Sequence, residues 1–261
     1  MLQDSYRTSS PAPDYIARTD SVFLVARERF AAGTLEPYAS ILAGEQTAGK
    51  GQYGRAWQSH AGNIHAAVRL PLTGVWRTTA SAGALSAIIA DELSRAGYDV
   101  RLKWPNDIVV VKAGVPMKAG GVLLEETDGL LVAGIGLNLA WAPETGTLRE
   151  GAALPPGRLA DADRSDAFDA PRETDPMKLW TRVARRISVE DPDDLAETWQ
   201  MIAAERLLWK GDTVVITEPE GPGSPDLTGR LLGLSAEGEV VLETHARTAS
   251  CSRGSLARAS L

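Results

Sequence analysis

The sequence predicts an α+β fold in which a domain of helices and strands, residues 16–209, is followed by a small β-barrel, residues 210–261. Up to residue 208, segments with helical spacing of apolar residues are interspersed with segments of strand-like alternation, which is typical of a sheet packed against helices. After residue 210 the pattern changes to short alternating strands separated by turn residues, which favours a barrel. The length of 261 residues suits this division, since domains usually contain about 100 to 200 residues.

The first half of the chain predicts one helix at the start and a series of strands after it. Asp20 can cap this helix and Gly33 can end it. A long helix rich in Ala is expected before Gly97, and a glycine-rich loop separates the first two strands. The predicted strands are residues 38–44, 64–70, 100–104, 108–111, 121–124 and 130–139, and the long helix is residues 77–95.

The second half predicts a loop, a pair of helices and the barrel. Residues 141–176 are rich in Pro and Asp, so we expect an irregular loop there. Helical spacing follows in residues 177–187 and 194–208, and short strands are expected around Val214 and in residues 231–234 and 240–242. Residues 1–15 have no apolar core, and we expect them to be disordered.

The composition disfavours several classes of function. A formal net charge of −7 opposes broad attraction to nucleic acid or to an anionic membrane. Cys251 is the only cysteine and the three histidines are scattered, so neither an internal disulfide nor a zinc cluster is expected. No apolar stretch reaches the roughly 18 residues of a membrane span, and the N-terminus is unlike a signal peptide. We therefore expect a cytoplasmic enzyme.

A glycine-rich loop with interleaved cations lies between the first two strands. Glycines allow backbone N–H groups to approach an anion closely, and an arginine can bind two oxygens of a phosphate at once. Neither the P-loop pattern nor the dinucleotide fingerprint fits this loop. A mobile hairpin with solvated charges and a core tryptophan is the alternative. The residues concerned are Gly49, Lys50, Gly51, Gly54, Arg55 and Trp57.

Two further segments carry residues suited to nucleotide chemistry. In residues 103–107, Lys-Trp-Pro-Asn-Asp, the proline ends a strand and presents Asn106 and Asp107, which can bind a ribose, a phosphate or Mg²⁺. The alternative is an ordinary turn. Lys118 opens a buried strand, which is costly unless its ammonium group faces water or an anion. The small residues of the segment 134–139 indicate either close approach of a ligand or tight sheet packing.

In this combination and order, the segments resemble biotin protein ligases, which activate biotin as biotinyl-AMP and attach it to a lysine of a carrier protein. The resemblance is carried by residues 46–51, Gly54-Arg55-x-Trp57, residues 103–107, Lys118-Ala119-Gly120 and residues 134–138, and it covers residues 19–139 well. It implies a mixed sheet related to class II aminoacyl-tRNA synthetases, followed by an SH3-like barrel. It also implies ATP, biotin and Mg²⁺ as ligands and a biotin carboxyl carrier protein of acetyl-CoA carboxylase as partner.

The resemblance further implies roles for individual residues. Lys118, Arg55 and Asp107 would be catalytic, and Asp107 would also hold Mg²⁺. The residues implied for biotin are Thr19, Asp20, Ser21, Gln46, Gly49, Lys50, Gln52, Lys118 and Gly120. Those implied for ATP and the adenylate are Lys50, Gly51, Gln52, Arg55, Trp57, Asn106, Asp107 and Asn138.

The chain departs from the family pattern at two places. Family members usually have arginine at the positions of Lys50 and Gln52, and a Ser-Thr-Asn signature where this chain has residues 19–21. We expect weaker retention of the adenylate because Gln52 replaces a guanidinium. Fewer than 20 residues precede the first helix, too few for a DNA-binding helix-turn-helix, so we expect no operator binding. Lipoate or octanoate transfer and a non-catalytic sensor of biotin or nucleotide remain the rivals, and the sequence leaves monomer and homodimer open.

Overall fold

A seven-stranded mixed sheet forms the centre of the larger domain. The structure is a computed structural model that describes residues 12–144, 154–163 and 171–259. The strands lie in the order β1-β2-β3-β7-β6-β5-β4, with β1 parallel to β2 and the other neighbours antiparallel. Their bounds are β1 Asp14–Thr19, β2 Ser40–Gln46, β3 Ile64–Leu70, β4 Val100–Lys103, β5 Asp107–Lys112, β6 Val115–Thr127 and β7 Leu130–Leu137.

Helices cover both faces of this sheet. Helix α1 packs Phe23 and Ala26 on one face, where alternate strand residues such as Ala67 and Val132 form a small core. The other three helices pack on the opposite face, where Ala66 and their apolar sides form the main core. The α2 side chains facing the sheet are fully buried because its sequence is apolar at helical spacing. The helices are α1 Val22–Ala31, α2 Ser81–Arg95, α3 Pro176–Val189 and α4 Pro192–Arg206.

A second, five-stranded antiparallel sheet follows α4. Its order is β11-β10-β9-β8-β12, and it has an apolar core of its own, into which Trp104 of the larger domain inserts. The Trp104 indole N–H donates to the Gly238 carbonyl at 2.9 Å, which fixes one sheet against the other. The strands are β8 Thr213–Thr217, β9 Leu227–Leu234, β10 Val240–Glu243, β11 Thr248–Cys251 and β12 Ser255–Arg258. The predicted fold class, a mixed sheet with helices followed by a small β domain, is confirmed.

Several local predictions differ from the structure. Ser21, not Asp20, caps α1, because its backbone is extended and its hydroxyl accepts the Phe23 N–H at 3.3 Å. Strand β1 begins at Asp14, inside the stretch predicted to be disordered, whereas residues 1–11 lie outside the described residues. As a half-exposed edge strand, β1 has too little apolar alternation to be recognised, and β11 and β12 were missed for the same reason.

The loop predicted at residues 141–176 lies only partly within the described residues. There, Leu159–Asp161 forms a short 3-10 turn, and Arg158 and Lys112 both pair with Asp161. The two cations hold the pKa of the Asp161 carboxyl well below its usual range. None of the helices in the described ranges is long and apolar enough to cross a bilayer.

Candidate active site

A cleft of about 180 Å³ opens beside the N-terminus of α1. Its walls are the start of α1, the glycine-rich loop between β2 and β3, and the central strands β6 and β7. Segments that are far apart in sequence meet there because β3, β7, β6 and β5 are adjacent in the sheet. The predicted residues that line the cleft are Gln46, Lys50, Gly51, Gln52, Arg55, Trp57, Asn106 and Lys118.

The glycine-rich loop folds back on itself as a short closed lobe. Lys50 and Ala56 form an antiparallel bridge, and the Gly51 N–H donates to the Arg55 carbonyl at 2.7 Å. The turn of the lobe is stabilised by Gly54, whose φ of 71° favours glycine. The Arg55 Nε donates to the Gln52 carbonyl at 3.1 Å. The lobe therefore brings the cations of Lys50 and Arg55 to one wall of the cleft.

Gln46 connects this wall to α1. The Val22 N–H, at the first turn of the helix, donates to Gln46 Oε1 at 2.9 Å, and Gln46 Nε2 lies 3.5 Å from Ser59 Oγ. The side-chain amide is thereby held at the end of β2 with its orientation fixed by a helix terminus. It presents a polar group to a cleft that is otherwise lined by small and apolar residues on that side.

Lys118, which lines the cleft from β6, forms an ion pair with Asp107. Lys118 Nζ lies 2.5 Å from Asp107 Oδ1, with the lysine side chain 37% exposed and the aspartate 17% exposed. A register shift between Ile108 and Val109 in the β5–β6 pair displaces Lys118 from regular alternation. Its backbone is fixed from outside the sheet as well, since its N–H donates to the Pro155 carbonyl at 2.7 Å. Asp107 does not line the cleft, but its ion-pair partner Lys118 does.

Lys103 is a charged residue that sequence reasoning did not assign to the site. It is only 5% exposed and is paired in register with Asp107 at the end of β4. Burial lowers the pKa of Lys103, and the nearby Asp107 partly offsets this effect. Among the described residues, no acidic side chain forms an ion pair with its ammonium group. The only sequence signal was its place at the head of the segment 103–107.

The other predicted residues take structural positions outside the cleft lining. Thr19 and Asp20 accept the N–H groups of Thr47 and Ala48 through their carbonyls, at 3.0 and 2.8 Å, and so place the loop against α1. Asn138 is buried and donates through Nδ2 to the Gly157 carbonyl at 3.1 Å. A Cβ atom on Gly49 would lie 2.8 Å from the Trp57 carbonyl, and one on Gly120 would lie 2.5 Å from the Gly136 carbonyl. The predicted residues in these structural positions are Thr19, Asp20, Ser21, Gly49, Gly120 and Asn138.

Apolar residues that were not among the predicted site residues also line the cleft. Phe23 of α1 reaches the cleft because Gly134 leaves space for its ring. Val122 and Ile135 contribute from β6 and β7. The cleft thus has one apolar region near α1 and one cationic region formed by the loop and Lys118.

Comparison with known proteins finds a family model that matches part of the chain. The model of the biotin/lipoate A/B protein ligase family matches residues 15–140, which include β2 to β7, all of β1 except Asp14, and every residue that lines the cleft. The matched residues are slightly less than half of the chain, and over them the chain is similar to that family. The resemblance inferred from the sequence motifs is confirmed.

Individual relatives of this ligase-family domain extend the comparison. A biotin–[acetyl-CoA-carboxylase] ligase of Paracoccus denitrificans is 38% identical over 149 residues, which are 54% of this chain and 60% of that protein. One of Mycobacterium tuberculosis is 27% identical over 251 residues, 92% of this chain and 86% of that protein. The match therefore spans less than two thirds of the first relative and most of the second.

Solved structures support the fold of both sheets. The biotin protein ligase of Aquifex aeolicus, determined in complex with biotin and ATP, matches 95% of this chain and 100% of that one, with a TM-score of 0.65 and 22% identity. At this identity the likeness concerns the fold, including the second sheet that lies beyond the ligase-family match.

Asp107 is the candidate magnesium ligand of the site. In the part of the chain that the structure describes, no three His, Cys, Asp or Glu side chains are grouped to hold a metal. Mg²⁺ commonly binds one or two carboxylates together with substrate phosphates, and Asp107 can supply one carboxylate. The site therefore fits a metal that arrives with a nucleotide, not a resident one.

Proposed function

We propose that this protein activates biotin with ATP to biotinyl-5′-AMP and transfers the biotin to a specific lysine of a biotin carboxyl carrier protein. The observation that carries this proposal is the shared cleft, in which Arg55, Lys50 and Lys118 face the same space as Gln46 and Trp57. An apolar region next to a cationic region suits a ligand with an apolar ring system and an anionic reacting end.

The first half-reaction joins two anions. The carboxylate of biotin attacks the α-phosphate of ATP, a P–O bond forms, and pyrophosphate leaves with the electron pair of the bond that breaks. Cations must screen the approach and stabilise the charge that develops on the phosphates. Lys118 would contact the carboxylate and the acyl phosphate, while Lys50 and Arg55 would approach the phosphates from the loop.

The Lys118–Asp107 ion pair keeps the Lys118 ammonium at the wall before substrate binds. A carboxylate that enters the cleft competes with Asp107 for this ammonium group, which is already oriented and needs little reorganisation. Mg²⁺, held by Asp107 and the phosphates of ATP, would supply additional neutralisation of the triphosphate charge. Lys103 adds a further positive charge behind the pair.

The second half-reaction requires protection from water. The neutral amine of the carrier lysine attacks the carbonyl carbon of the mixed anhydride, an amide bond forms, and AMP leaves. The glycine-rich loop forms one wall of the cleft, and its closure over the bound adenylate would exclude water from the labile anhydride. Asp107 is the candidate to orient the amine or accept its proton.

We further propose the carrier protein of acetyl-CoA carboxylase as the partner and the cytoplasm as the location. The relatives from Paracoccus denitrificans and Mycobacterium tuberculosis are biotin–[acetyl-CoA-carboxylase] ligases, which supports this choice of carrier. A lone, buried Cys251 needs no oxidising compartment.

The test combines the protein with biotin, MgATP and a carrier domain, and measures lysine biotinylation by mass spectrometry. Lys118→Ala is the matched variant, and its folding is checked by circular dichroism. We expect a mass increase with the wild-type chain and none with the variant. Lipoate and octanoate replace biotin in parallel reactions, and preferential transfer of either would establish the rival acyl specificity. Binding of biotin and ATP without biotin-dependent release of pyrophosphate would instead indicate a sensor.

A further inference from the structure

The indole ring of Trp57 packs against a pair of residues from two adjacent strands. His65 of β3 and Gly136 of β7 are directly opposite each other in the antiparallel register. A Cβ atom on Gly136 would lie 2.5 Å from Trp57 Cζ2, so the ring occupies the space that the glycine leaves. The Trp57 indole N–H donates to His65 Nδ1 at 3.4 Å. Gly136 therefore determines the position of the ring, and His65 determines the orientation of its plane.

His65 has hydrogen-bond partners at both ring nitrogens. It is fully buried, and its Nε2 lies 3.2 Å from the His60 carbonyl oxygen and 3.3 Å from the His60 backbone nitrogen. Because Nδ1 accepts the indole N–H, the ring proton belongs on Nε2, where it can be donated to that carbonyl. With the proton on Nε2, this nitrogen donates to the His60 carbonyl and does not accept the His60 N–H, while Nδ1 accepts the indole N–H. One protonated and one unprotonated nitrogen make the ring a neutral imidazole.

The surroundings of His65 favour this neutral form. Burial lowers the pKa of His65, and the His60 backbone partly offsets the effect. The titratable group that faces it is the His60 ring, which stacks on Trp141 with ring centroids 4.9 Å apart. If His65 were protonated, its Nδ1 would also carry a proton. Two donors would then face each other, and the hydrogen bond from the Trp57 indole N–H to His65 would be lost.

We infer that His65 is a positioning residue that holds the Trp57 ring in the plane required to stack on the nucleotide base. The inference rests on the proposed function and takes adenine as the group that packs on Trp57, a residue that the family resemblance implies for ATP and the adenylate. A ring fixed before binding loses less freedom when the base stacks on it, and affinity increases accordingly. A buried histidine that only satisfies its own hydrogen bonds would affect stability but not nucleotide affinity.

The test measures binding of AMP to the full chain by calorimetry, without biotin and without turnover. His65→Leu removes the acceptor, whereas His65→Asn retains one close to the position of Nδ1. We expect about three- to tenfold weaker binding for His65→Leu and recovery to within about twofold of wild type for His65→Asn. Thermal unfolding confirms that each variant is folded at the assay temperature.

A double-mutant cycle separates positioning from general destabilisation. Trp57→Phe lacks the indole N–H, so His65→Leu should not weaken AMP binding further in that background. An equal loss in both backgrounds, or folded His65→Leu with wild-type affinity, overturns the inference. A wild-type chain that binds no adenine nucleotide overturns the proposed function, and the inference fails with it.

Discussion

Replacement of Gly136 by alanine tests whether the position of the Trp57 ring controls nucleotide binding. The backbone of Gly136 is outside the left-handed region, so alanine brings no conformational strain. The added Cβ would lie 2.5 Å from Trp57 Cζ2 and 3.0 Å from Nε1. Carbon atoms in contact are about 3.5 to 4.0 Å apart, so the indole must retreat by about 1 Å.

This displacement should remove much of the stacking between the indole and adenine. Stacking of a base on an aromatic side chain contributes about 1 to 3 kcal/mol, which corresponds to about a fivefold to hundredfold change in binding. We expect the KM for ATP to rise within this range and the KM for biotin to rise less. Both are measured by biotin-dependent exchange of pyrophosphate into ATP.

Gly233→Ala is the matched control for this substitution. Gly233 lies in β9, its φ is not in the left-handed region, and a Cβ atom there meets nothing within 4 Å. It should leave both KM values unchanged. Folded Gly136→Ala with a KM for ATP within about twofold of wild type would refute the role of Trp57 as the platform for the base.

Three further changes test other parts of the cleft. Gln52→Arg should slow the release of biotinyl-AMP, because a charge-assisted hydrogen bond of about 1.5 to 3 kcal/mol replaces a neutral contact. Release is measured by rapid filtration, and equal rates for the variant and the wild type would contradict this expectation. Lys103→Met removes a buried charge, so the urea midpoint should be retained or increased. The same variant should lower the biotin-dependent release of pyrophosphate. A large loss of stability would show instead that the protein stabilises the Lys103 ammonium group. The lowered pKa of His65 means that the unfolded chain binds its proton more readily. Stability from this residue is therefore present above about pH 6.5 and falls as the pH decreases, and His65→Asn should flatten this part of the urea-midpoint profile.

Elements with strong local patterns were predicted well from sequence. Strand β3 was predicted at the residues where it occurs, because alternation from Ile64 to Leu70 is uninterrupted and both flanks are loops. Helix α4 was placed within two residues at each end, since Leu195 and Trp199 have helical spacing. Edge strands such as β1 were missed because half of their side chains face solvent and give no apolar signal.

The site was predictable as a set of motifs but not as a set of contacts. The convergence of the glycine-rich loop and Lys118 followed from the resemblance, whereas their distances depend on strand order. The Lys118–Asp107 ion pair depends on a register shift in the β5–β6 pair, which has no local sequence signal. His65 was visible only as an alternating strand residue, and its contact with Trp57 requires the loop to fold back over β3.

The segment from Lys103 to Asp107 explains how the second sheet can contribute to the site without lining it. Among the described residues, no part of β8 to β12 lines the cleft. Trp104 nevertheless lies in the core of that sheet, while Asn106 hydrogen-bonds the Val122 carbonyl and Asp107 pairs with Lys118. Adjacent residues of this segment are thus held by different parts of the structure, Trp104 by the core of the second sheet and Asn106 and Asp107 by contacts with β6. The segment therefore joins the core of the second sheet to the wall of the cleft.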